Sequence, residues 1–313
     1  MKLFRCLSCY FAVAIICSAP TALTAQHAAK PSHTKSVMLG VLERISSDVS
    51  TSSPKAAVRV LFAKRGSNWV PFPTATRSYG DLRLLPQSYP GQVTWTIAFD
   101  GRDLGRVVTR RPRAFDSYGD IGLEKVVGVG PVPSVGKPSM SFSSWTSDTP
   151  VMRPLVAVSK PYYRDPDQWK PHRPSQEAIT KARSLFRNKF PSASNCRGAD
   201  SALMPWRYSD ADIRVKKAYA SNNGWAILEL SLTGWACDGM EASHGPFVGQ
   251  WYVSDPTDHV RFLASGMWLV DAGDYDENGR SALLFSLEGY NIGGYRLYYR
   301  NFKKSVEYVF HYH

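Results

Sequence analysis

The sequence predicts a mainly β protein of the α+β class, with antiparallel sheets, one amphipathic helix and a C-terminal four-stranded, blade-like meander. Three observations carry this expectation. Aromatic residues reach 12% while charged residues stay at 20%, a balance that suits packed pleated surfaces and not a disordered chain. Apolar residues alternate with small or polar ones along much of the chain, at their clearest where Val93, Trp95, Ile97 and Phe99 enclose Thr94, Thr96 and Ala98. Turn signals such as Asp100-Gly101 and Asn222-Asn223-Gly224 separate these runs. A chain of 313 residues can bury one large core or two modest ones.

Residues 1–25 read as an export signal. Lys2 and Arg5 form a positive start, an apolar run extends from Cys6 to Cys17, and Leu23-Thr24-Ala25 offers a cleavage site before Gln26. A membrane anchor needs about 20 apolar residues, and this run is shorter. Ile15 and Ile16 also stand before Cys17 where lipid attachment wants a small residue. No later stretch is long and apolar enough to span a membrane, so the expected location is the periplasm or the exterior. Cleavage leaves Cys196 and Cys237 as an even pair in an oxidising compartment. A disulfide between them would close a loop of about 40 residues and stabilise by about 3 to 4 kcal/mol in the chain-entropy model; two buried free thiols are the alternative. Net charge is +12, and removal of Lys2 and Arg5 leaves +10. That charge suits an anionic envelope or glycan surface. The basic clusters at Arg110-Arg111-Pro112-Arg113, Lys216-Lys217 and Lys303-Lys304 are short and scattered, which argues against nucleic acid.

After a polar tail at 26–35, Val37, Leu39 and Val41 begin a first strand, and Val58, Val60 and Phe62 a second that turns toward Trp69 and Val70. Pro71, Pro73 and Pro86 make the stretch to Pro90 an irregular crossing. The strand ending at Phe99 pairs through Asp100-Gly101 with a partner at 104–110. A β segment at 120–129 precedes a Ser- and Pro-rich loop at 131–150. The organisation expected is a β-rich region at 36–150, a linker at 151–174 that contains the apolar run Leu155-Val156-Ala157-Val158, and a helix with further strands at 175–313. Ser175 caps that helix, Ile179, Ala182, Phe186 and Phe190 supply its apolar face, and Pro191 ends it. Strands are expected on both sides of Asn223-Gly224, at 247–253 and at 260–263.

The segment with recognisable chemistry is 271–281. Asp274, Asp276 and Asn278 place oxygen-bearing side chains on alternate positions, Gly279 supplies a sharp turn, and Arg280 offers a backbone carbonyl. This is the start of a D-x-[DN]-x-[DN]-G calcium loop, whose alternating oxygens converge on a hard cation. Phe285 stands where an EF-hand needs its last carboxylate, which excludes that motif. Residues 271–288 carry five acidic side chains and one basic, a local net of −4. With strands expected at 268–271, 283–287, 295–300 and 306–312, the segment 268–312 resembles the FG-GAP/VCBS type of calcium-loop repeat of secreted bacterial proteins and β-propellers. The whole chain is similar to exported bacterial proteins that end in such a repeat. The resemblance implies extracellular recognition or adhesion, with structural calcium held by Asp274, Asp276, Asn278 and the Arg280 carbonyl. One copy cannot build a propeller, and Ala282 stands where the repeat carries a further acidic ligand. The other reading is a metal-free hairpin loop held by Asx turns and backbone donors.

Other constellations are weaker. His311 and His313 share a face with Glu307 at a chain end, and Asp238, Glu241 and His244 fit no metal or acid/base spacing. Neither G-x-S-x-G, H-E-x-x-H nor a P-loop occurs. The expected function is therefore a non-enzymatic binding or interaction protein of the periplasm or exterior. The alternative is a cell-envelope hydrolase whose Asp, Glu and His residues are dispersed in sequence and meet in space.

Overall fold

The alternating run of Val93, Trp95 and Ile97 buries one face almost completely in the computed structural model, and the strand it forms belongs to a closed barrel. The structure describes residues 36–45, 55–76, 78–128, 130–134, 153–161, 164–195, 204–234, 245–289 and 291–311. The export signal, the tail to residue 35, Cys196, Cys237, Asp238, Glu241, His244 and His313 lie outside the described residues. Ser36–His313 clusters as one compact unit.

Strands β1 (Met38–Ile45), β2 (Lys55–Arg65), β3 (Asn68–Pro71), β4 (Gln92–Phe99), β5 (Arg102–Arg110), β6 (Leu123–Val127) and β7 (Leu155–Val158) pair in the order β1-β7-β4-β5-β6-β2-β3. β1 also pairs with β2, so six antiparallel strands close on themselves and β3 extends β2. Closure depends on Gly40: a Cβ there would lie 2.4 Å from the Arg59 carbonyl oxygen across the β1–β2 ladder. The run Leu155-Val156-Ala157-Val158 is fully buried between β1 and β4, so the first part of the 151–174 segment is a barrel stave. The 73–90 stretch, expected to be irregular, contains a short helix α1 (Tyr79–Leu84) capped by Ser78.

Helix α2 (Gln176–Lys189) forms as expected. The Ser175 hydroxyl accepts the Ala178 N–H at 3.1 Å, Glu177 lies in the first turn, and Arg187 and Lys189 lie in the last, matching the helix dipole. Its buried positions are Ala178, Ala182 and Phe186; Ile179 is only half-buried, a rotation of the apolar face by one residue. Among the strands that surround it are β8 (Lys170–Pro171), the pair β9 (Ala193–Asn195) and β10 (Met204–Trp206), β11 (Ile213–Ala220), β12 (Ala226–Leu232), β13 (Gln250–Ser254) and β14 (Val260–Ser265). The order β14-β13-β12-β11-β8 makes a five-stranded antiparallel sheet.

The C-terminal meander is β15 (Met267–Gly273), β16 (Ala282–Gly289), β17 (Ile292–Tyr299) and β18 (Lys304–His311), a four-stranded antiparallel sheet in sequence order. Both faces of β16 and β17 are largely buried, whereas β18 leaves Ser305, Glu307 and His311 exposed. Leu284, Tyr295, Leu297 and Tyr308 join the barrel core, whereas Leu283, Phe285 and Tyr298 pack with Ile227, Trp251 and Val253 of the five-stranded sheet. That sheet turns Leu228, Leu230 and Tyr252 to α2, against Ala182 and Phe186. Helix, sheet, sheet and barrel thus stack in that order, with the meander inside.

Candidate functional site

The acidic loop joins β15 to β16 at the rim of the central sheet. Asp274 is 6% exposed and accepts the Asn278 N–H and the Gly279 N–H, one on each carboxylate oxygen at 2.8 Å. The Asn278 side chain accepts the Arg280 N–H at 2.9 Å and donates to Asp276 Oδ1 at 2.6 Å. Glu277 and Gly279 adopt left-handed backbone, φ 57° and 78°, which curls the turn around Asp274. Asp274, Asp276, Asn278 and Arg280 are therefore brought together in one hydrogen-bonded knot.

Neighbouring elements supply the positive charge. The Lys64 ammonium of β2 pairs with the second oxygen of Asp276, and Lys160 donates to Glu277 at 2.7 Å. Burial raises the Asp274 pKa from its ordinary value, against the opposing pull of the Gly279 and Asn278 amides. Asp271, at the end of β15, accepts from the Ala272 N–H at 2.7 Å and from the Asp100 N–H at 3.1 Å. Burial pushes its carboxyl up to about 7, although Arg153 opposes the shift.

Two carboxylates of this junction had no signal in sequence beyond the Asp165-Pro166-Asp167 run. Asp167 accepts the Ser281 N–H at 2.9 Å and the Asn223 side-chain N–H at 3.0 Å. Asp165 accepts the Trp169 N–H at 2.6 Å, the Gln168 N–H at 3.1 Å and the Ser281 hydroxyl. The Asp274 N–H in turn donates to the Arg164 carbonyl at 2.8 Å. The 164–169 segment, the β11–β12 turn and the acidic loop are locked through these bonds, and the Lys64–Asp276 pair adds the barrel.

The loop's oxygens test the calcium assignment. Each oxygen of Asp274 and Asp276 and the side-chain oxygen of Asn278 already accepts from a protein donor, and the Lys64 ammonium stands on the carboxylate that calcium would need. Among the described residues, no group of three or more His, Cys, Asp or Glu side chains is arranged to hold a metal ion. As folded, the donor set is balanced by lysine. His311 is exposed, and Glu307, four residues back along the same strand, is paired with Arg296.

Beside the loop lies a slot that sequence reasoning did not single out. Trp169, Trp225, Tyr298 and Phe302 line it together with Asp167, Asn223, Ser281, Leu283 and Asn301. Its residues come from four separate segments, so no local motif marks it. No family model, curated protein or solved structure matches the chain.

Proposed function

We propose that this chain is an exported, non-enzymatic binding or interaction protein of the periplasm or exterior, in which the acidic loop is a structural clamp. The observation that supports the reading is the use made of the junction's carboxylates. Asp165, Asp167, Asp271, Asp274 and Asp276 all take hydrogen bonds from the protein itself. General acid/base work needs a carboxyl free to exchange a proton with a substrate, and these carboxyls are engaged by protein donors, Asp167 in the slot wall included. Burial of several like charges is tolerated because lysines and amides offset them. The positive charge of the exported chain suits attraction to anionic envelope or glycan surfaces.

Calcium enters this reading as a competitor of Lys64 for Asp276. If bound, it would supply charge neutralisation at the loop, with Asp274, Asp276, Asn278 and the Arg280 carbonyl as holders, and no chemistry on a substrate. Native mass spectrometry of protein recovered from the exported fraction tests the whole proposal. The expected species begins near Gln26, carries one internal disulfide and retains a small ligand. A chain with its first 25 residues intact in the cytosol would overturn export, and turnover of the retained ligand would overturn the non-enzymatic reading.

A further inference from the structure

The most strained backbone among the described residues is the β17–β18 turn. Arg300, Asn301 and Phe302 are all left-handed, with φ 54°, 53° and 59°. L-residues there cost about 1 to 2 kcal/mol each, and such strain persists where the surroundings over-determine it, often at ligand clamps. What the turn achieves is the placement of Phe302. Its ring centre lies 5.5 Å from that of Trp225, 5.9 Å from that of Trp169 and 5.9 Å from that of Tyr298. Arg261 holds its carbonyl with a 3.0 Å hydrogen bond.

The slot around Phe302 is small. Its cavity volume is about 10 Å³, about the size needed for one water or one hydroxyl group. Trp169 and Trp225 are half-buried and so retain part of their surface for a partner. The Trp169 indole N–H is buried with no protein acceptor, and an unmet buried donor costs about 1 to 3 kcal/mol. The Asn301 side chain lines the slot as well. Asp167, by contrast, is held by Ser281 and Asn223 and puts a negative charge in the wall. Neither lysine nor arginine is among the lining residues.

We infer that this slot binds a neutral saccharide, one hydroxyl entering it and the C–H face of the sugar ring lying over the exposed parts of Trp169 and Trp225 at its rim. A pyranose combines what the slot offers partners for: a flat apolar face for aromatic surface and hydroxyls that both accept and donate, for the indole N–H and the Asn301 amide. Asp167, unopposed by a cation in the wall, disfavours an anionic sugar. The inference rests on the reading of the chain as a binding protein and names its ligand.

Tryptophan fluorescence and calorimetry of the exported full chain test it, with maltotriose, cellotriose and chitotriose as probes, and with sialyllactose and trialanine as anionic and peptide controls. At least one neutral trisaccharide is expected to bind with a Kd of about 1 mM or tighter. Trp225→Ala should weaken binding about tenfold or more, as loss of an aromatic anchor does. Asn301→Gly, which removes the amide and suits the left-handed backbone, should weaken it about fivefold without lowering Tm. Absence of neutral-sugar binding at about 10 mM, binding that both variants leave intact, or binding of a control instead would overturn the assignment. Protein that co-purifies with another ligand and ignores these sugars sinks the saccharide alone. Release of new reducing ends would keep the site and sink the non-enzymatic reading.

Discussion

Lys64 couples the barrel to the acidic loop through a single ammonium, held between the Asp276 carboxylate and the Trp69 ring centre 5.3 Å away. The Asp276 side chain is 6% exposed, so Lys64→Met leaves a nearly buried carboxylate unpaired and is expected to lower stability by about 3 kcal/mol. Millimolar calcium should then raise the Tm of Lys64→Met more than that of the wild type, and Asp276→Ala should abolish both rises. Thermal melts with and without the ion decide this; equal shifts in wild type and Lys64→Met would refute competition for the site. A second residue-scale effect comes from Glu124. It is fully buried, accepts from the Thr109 hydroxyl at 2.7 Å and leaves its other oxygen without a partner. Burial pushes its pKa up to about 7, as it does for Asp271. Both carboxyls hold a proton more tightly folded than unfolded, so their contribution is full below the unfolded carboxylate range and is lost as pH rises through about 7. Denaturant titrations should therefore show stability falling between about pH 4 and about pH 7, and Glu124→Gln or Asp271→Asn should each flatten part of that slope. A wild-type stability that stays level over the window would contradict the buried-carboxyl account.

Local chemistry made several elements legible and left others silent. Ser175 was readable as a cap because a hydroxyl before an apolar 3.6-residue period can satisfy a free helix N–H, and the bond to Ala178 is present. Ser175→Ala should lower the unfolding free energy by about 1 kcal/mol, with the midpoint of a urea curve reduced and its slope unchanged; a null result would mean that tertiary packing alone holds the helix start. The β4–β5 hairpin was equally readable, since Asp100 and Gly101 adopt the left-handed backbone, φ 49° and 69°, that a two-residue turn requires. The α1 helix was not, because Pro71, Pro73 and Pro86 bracket a six-residue run too short to show a period. Barrel closure was silent as well: pairing of β1 with both β2 and β7 depends on partners more than 100 residues apart in the second case, and alternation names a strand without naming its neighbour. The same reason divides the candidate site. Asp274, Asp276 and Asn278 are contiguous and could be read together, whereas Lys64, Asp165, Asp167 and Trp169 reach the junction only through the fold.

At the scale of the whole molecule, the buried position of the C-terminal sheet decides how the chain should unfold. Adjacent residues of β16 face opposite ways: Leu284 enters the barrel core and Phe285 the core shared with the five-stranded sheet. Both are fully buried, so Leu284→Ala and Phe285→Ala should each cost about 3 kcal/mol or more. If the barrel and the helix-covered sheet were separate domains on a flexible linker at 151–174, each substitution would loosen its own side. Two features argue otherwise. The 151–174 segment contributes a barrel strand, β7, and then Asp165 and Asp167 to the acidic junction, and β16 and β17 of the central sheet are packed on both faces, against the barrel and against the five-stranded sheet. Opening either side would expose Phe285 or Leu284 together with its neighbours, a loss that removes the other side's support. Hydrogen exchange followed by mass spectrometry reads the outcome directly. Each substitution should lower protection of the β4 amides and the β12 amides by the same free energy, within one cooperative melt. Selective loss in β4 for Leu284→Ala and in β12 for Phe285→Ala would instead establish two independently unfolding halves.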